Sequence, residues 1–188
     1  MRIFPYWKKA SLISFLTGIA WLFYAYFFVF GQDVLLSSIF LVIAGFGSIE
    51  VAVSLYLKVR DVDEGWALIA LILGAIGAAG VAIHGAYDLA NTINPPLMMN
   101  LDLPSQIDPR GFLAFFISGA AVLKFSYLAY VGKKLPKNLA LLGFLSGFLL
   151  VVIYLGRLIV LDPTEAIIKY PVLIEGFILT PVWYLWLG

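Results

Sequence analysis

Residues 66–89 read WALIALILGAIGAAGVAIHGAYDL. From Trp66 to Ile83 there is no charge, and at 1.5 Å of rise per residue the stretch is about 36 Å long. That is enough to cross a hydrocarbon core about 30 Å thick. A soluble helix of this length would show a polar face; this one shows none before His84. Five other stretches pass the same test: 10–30, 34–57, 111–131, 138–161 and 171–188. The expected fold class is therefore all-α: a polytopic membrane protein with six transmembrane helices in one bundle, forming a single domain over residues 1–188.

Composition agrees. Hydrophobic residues make up 63% of the 188 positions and charged residues 12%, about half the share found in soluble domains. Arg2, Lys8 and Lys9 resemble the positive region of a signal peptide, but the apolar run behind them is too long. The chain also continues as Phe27-Phe28-Val29-Phe30-Gly31 without a small-x-small cleavage site. An uncleaved first helix is expected. With no cysteine and one histidine, thiolate metal sites and disulfides are excluded, and nothing points to a metal or another cofactor. No basic, aromatic-interleaved surface suggests nucleic acid. No nucleophile elbow, P-loop or dinucleotide fingerprint occurs, because the glycines of 74–80 lie inside an apolar helix.

Loop charge gives an orientation. Arg2, Lys8, Lys9, Lys58, Arg60, Lys133, Lys134 and Lys137 fall on one side of the six spans. Only Arg110 and Lys169 fall on the other, beside Asp33, Asp102, Asp108, Asp162 and Glu165. By the positive-inside bias the N- and C-termini are expected in the cytoplasm, in a cell membrane. Asp108-Pro109 and Asp162-Pro163-Thr164-Glu165 read as helix starts, the second predicting a short helical turn before the sixth span. The apolar loop 91–110 contains Pro95, Pro96, Pro104 and Pro109 and is expected at the interface or across the mouth of the bundle.

Two sequence correspondences suggest a 3+3 inverted repeat. Phe15-Leu16-Thr17-Gly18 matches Phe116-Ile117-Ser118-Gly119, and Gly45-Phe46 with Ser48 matches Gly143-Phe144 with Ser146. Spans three and six show no such match. Three-helix units repeated in this way have opposite orientations, an arrangement used by many secondary transporters. Gly143 and Gly147 in span five, and Gly74, Gly77 and Gly80 in span three, predict close helix packing.

Charged or titratable residues inside the spans are expensive and therefore informative. Glu50 and Lys124 lie about 7 Å and 5 Å to the same side of their helix centres, which predicts a structural ion pair. His84, Asp88, Arg157 and Glu175 fall in the opposite half, with Tyr87 on the face of His84 and Asp88. These five form the candidate substrate-binding or proton-relay set, with His84 as the group that titrates nearest neutrality. No catalytic residue is assigned. Pro181 is expected to kink the sixth helix beyond Glu175.

The run His84-Gly85-Ala86-Tyr87-Asp88-Leu89-Ala90-Asn91 with Asn94-Pro95-Pro96, followed by Asp108-Pro109-Arg110-Gly111, resembles multi-pass prokaryotic membrane proteins of uncharacterised function. The resemblance implies no activity. The expected function is a small-solute or ion transporter or channel with its polar site in the outer half. The bilayer and a small-molecule or ion substrate are the expected partners, and oligomeric state is open. Two alternatives remain: a non-catalytic membrane subunit or scaffold with structural ion pairs, and a lipid- or quinone-modifying enzyme using His84 and Asp88.

Overall fold

The computed structural model describes residues 4–95, 113–160 and 165–188. The helices are α1 (Phe4–Tyr26), α2 (Val34–Val59), α3 (Glu64–Ile93), α4 (Leu113–Val131), α5 (Lys137–Ile159), α6 (Ala166–Ile174) and α7 (Thr180–Leu187). π-helical turns follow α1 at Phe27–Gly31 and join α6 to α7 at Glu175–Leu179. Six helices, counting Ala166–Leu187 as one, are long and apolar enough to cross a membrane. Large apolar side chains such as Phe15, Phe46, Ile76, Tyr127, Phe148 and Ile178 are exposed around the bundle. Lipid, not water, suits such a surface.

The caps are local chemistry. Asp33 accepts from the Leu36 N–H at 3.0 Å and Asp63 from the Trp66 N–H at 2.9 Å, each filling an open donor of a first turn. Lys133 takes a left-handed conformation (φ 52°) between α4 and α5, and Pro136 then caps the next helix.

Neighbours in sequence pack as neighbours in space, and the last span returns to the first, so the helices close a ring. Small residues set the spacing. A Cβ on Gly45 would lie 2.7 Å from the Ala82 amide nitrogen, and one on Gly147 would lie 2.7 Å from the Gly119 carbonyl oxygen. The expected close packing of spans three and five is thus present at backbone level. Between α1 and α7 the ring is closed by hydroxyls. Ser14 donates to the Tyr184 carbonyl at 2.9 Å and Ser11 to that of Gly188, satisfying C-terminal acceptors of α7.

The sixth span departs from expectation. It begins at Ala166, not 171, and the turn foreseen ahead of it is the first part of the same helix. Pro171 lies inside α6 and is tolerated there. Pro181 has no N–H to donate one turn back, and the backbone answers with a π turn ending at Leu179. The proposed caps at Asp108 and Asp162, and most of loop 91–110, lie outside the described residues.

Candidate functional site

A cavity of about 210 Å³ occupies the middle of the ring, and all six spans line it. One lining residue from each is Trp21, Ser48, His84, Ser118, Ser146 and Glu175. Depth follows from the 1.5 Å rise: Glu175, Ser146 and Ser48 lie within about 3 Å of their span centres, His84 about 8 Å away and Asp88 about 14 Å away. The cavity runs from the mid-plane towards the end where Phe28, Val34 and Asp88 lie. Because the sixth span starts earlier than expected, Glu175 sits at its centre and not in a layer with Asp88 and Arg157.

Glu175 is only 4% exposed. Ser146 of α5 donates to its Oε1 at 2.6 Å, and Thr180 donates to the same atom at 2.5 Å. Both lengths fall in the range of about 2.5–2.7 Å for O–H···O⁻ bonds. Oε2 is buried and has no hydrogen-bond partner. The Thr180 contact depends on the π turn. In an α-helix, residues three and four apart share a face but residues five apart do not. The extra residue of Glu175–Leu179 carries Thr180 round to the carboxyl.

Beside this group, Tyr184 donates to Ser48 Oγ at 2.8 Å and Trp21 Nε1 to the same oxygen at 3.4 Å, tying α1, α2 and α7 together. Towards the cavity's other end, His84 Nε2 lies 3.5 Å from Asp88 Oδ2, one helical turn on. His84 Nδ1 is buried without a partner. Asp88 remains partly exposed, which suits a carboxylate near the interface.

Of the five predicted site residues, the fold brings His84, Asp88 and Glu175 to one cavity. Tyr87, although near them in sequence, does not line it, and neither does Arg157. Arg157 turns to the end of its own helix, where Nη1 donates to the Val160 carbonyl at 3.0 Å. A cation there meets the negative end of the helix dipole.

The Glu50–Lys124 pair is not formed. Among the described residues, the pair of oppositely charged side chains in contact is Asp61–Lys134, and His84 stands beside Asp88. Glu50 is exposed on the outward face of α2, together with Ile43, Phe46 and Val53. Lys124 lies with its Nζ 3.8 Å above the Trp66 ring of α3. The two residues match in depth, but α3 packs between α2 and α4 and their side chains point in different directions. The lysine satisfies its charge by a cation–π contact and the reach of its stem.

Sequence reasoning missed Ser146, Thr180, Ser48 and Tyr184. Small hydroxyl residues are common packing residues in membrane helices and give no warning of a role. The one available signal was Pro181 shortly after a buried acid. Among the described residues no group of three or more His, Cys, Asp or Glu could hold a metal ion. Comparison with family models, with curated proteins and with solved structures finds no match.

Proposed function

We propose that this protein is a small-solute transporter whose site is the central cavity, with Glu175 as the principal binding group and His84 and Asp88 towards one entrance. The observation that carries the reading is the partner-poor carboxyl at mid-depth in a cavity lined by every span. A scaffold gains nothing from a cavity at its centre, since voids weaken packing. Transporters place their sites near the midplane and between repeats. Ser48 and Ser146, which correspond in the suggested inverted repeat, both line the cavity, and so do Trp21 and Val122, which stand at the offset relating spans one and four. In this reading both termini are cytoplasmic in the cell membrane, and the Phe28–Asp88 end of the cavity faces outwards.

The chain has no cysteine, so a single Ser146→Cys variant is a clean reporter. In proteoliposomes the thiol should react with a membrane-impermeant methanethiosulfonate added to either face, at rates that vary between the faces as conditions change. A thiol that reacts under denaturing conditions but from neither face of the folded protein would exclude transport through this cavity.

A further inference from the structure

Among the described residues the lining includes two carboxyl groups, Glu175 and Asp88, and one imidazole, but no lysine or arginine. Of these, Glu175 is the most deeply enclosed, and its Oε2 has no partner. Hydrogen bonds from Ser146 and Thr180 help to hold a carboxylate away from water, but only a positive charge beside it balances its charge in full. Among the described residues none stands at this place: Lys124 is engaged by Trp66, and Arg157 reaches its own helix end. Aliphatic and hydroxyl side chains make up much of the wall, and aromatic rings stand among them. Trp21, Tyr24, Phe115, Trp183 and Tyr184 line the same cavity as Glu175. Aromatic faces attract cations and are the usual surround for quaternary ammonium groups.

Size sets a further limit. A buried cavity of about 150 Å³ takes benzene, so about 210 Å³ suits a compact molecule only somewhat larger. A bare divalent ion would need several oxygen ligands, and no such cluster is found among the described residues. An anion would meet two carboxyl groups in the wall, Glu175 and Asp88.

We infer that the cavity binds a small monovalent organic cation, an amine or quaternary ammonium compound, seated between Glu175 and the surrounding aromatic rings. The inference rests on the transport reading only in taking this cavity as the site, and it names the class of molecule that the site accepts.

The test compares two probes of one shape: choline, and its uncharged isostere 3,3-dimethylbutan-1-ol. Trp21 and Trp183 line the cavity, so tryptophan fluorescence of the purified protein in nanodiscs reports occupancy, with calorimetry as a second measure. Choline is expected to bind saturably and about tenfold or more tighter than the alcohol. Glu175→Gln should abolish that preference while leaving binding of the alcohol unchanged, and Ser126→Ala should alter neither. Equal affinity for the two probes in the unmodified protein overturns the inference, as does an unchanged preference in a folded Glu175→Gln variant. No saturable binding of choline, tetraethylammonium or benzyltrimethylammonium overturns it too. Flux measurements separate the two claims. Choline that binds but is not moved across proteoliposomes removes the transport reading and leaves the site. Flux of neutral or anionic solutes without any choline binding removes the cation inference and leaves transport.

Discussion

Ser146→Ala measures whether the hydroxyl cradle of Glu175 holds a charge. Ser146 is 2% exposed and donates from α5 to the π turn of the sixth span at 2.6 Å. Ser126 is a matched control: it is also 2% exposed, but its Oγ has no hydrogen-bond partner. Both substitutions delete one oxygen from a position of equal burial, so most of the packing loss cancels in the difference between them. What remains is the hydrogen bond. A bond to a charged group contributes about 1.5–3 kcal/mol, whereas interhelical bonds between neutral groups in membranes average about 0.6 kcal/mol. Bonds of 2.6 and 2.5 Å converging on one carboxyl oxygen belong to the first class. Ser146→Ala should therefore destabilise the protein by about 1.5–3 kcal/mol more than Ser126→Ala. Steric trapping in bicelles, or reversible unfolding in mixed micelles, measures both. A difference near 0.6 kcal/mol would mean that the carboxyl is neutral when the cavity is empty. That result refutes the reasoning from bond length to charge.

Three further outcomes are expected. Gly147→Ala places a Cβ 2.7 Å from the Gly119 carbonyl oxygen and 2.8 Å from the Leu123 amide nitrogen, both backbone atoms, and should cost about 1–3 kcal/mol by forcing α4 and α5 apart. Gly176→Ala meets only the Ala25 methyl at 3.6 Å and should leave the thermal midpoint in detergent nearly unchanged. A double-mutant cycle on Glu50→Gln and Lys124→Met should give a coupling energy indistinguishable from zero, while Trp66→Ala with Lys124→Met should couple measurably, because the lysine's partner is the ring. Lys134 donates to the Asp61 carboxyl and holds it below the usual carboxylate range. The depressed value means that this link between the α2–α3 and α4–α5 turns is complete above about pH 4 and is lost as the pH falls through the lowered Asp61 value. Carboxyl NMR should show Asp61 titrating at higher pH in Lys134→Ala.

The titratable residues of the candidate site were legible because each interrupts an apolar run. Glu175, His84 and Asp88 stood out for that reason, and they do meet at one cavity. Arg157 stood out equally but is taken up by its helix terminus, since a long flexible cation can reach the interface from below it. Ser146 and Thr180 were not legible. The first reaches Glu175 only because α5 happens to face the sixth span there. The second stands five residues beyond Glu175, a spacing that an α-helix would turn away from it.

The sequence by itself determined six helices long and apolar enough to cross a membrane, their small-residue packing surfaces and the depth of each polar group except Glu175, whose helix starts earlier than expected. All of these follow from local quantities: the rise per residue, the thickness of hydrocarbon, and the missing N–H of proline. Tertiary structure decided direction. Whether a side chain at a given depth faces lipid, a neighbouring helix or the central cavity depends on helix order around the ring and the rotation of each helix about its axis. Close packing between distant segments sets both. Glu50 and Lys124 share a depth and do not pair, because α3 lies between their helices. Glu175 finds Ser146 and Thr180 because ring closure and one π turn bring three hydroxyl and carboxyl oxygens to the same point.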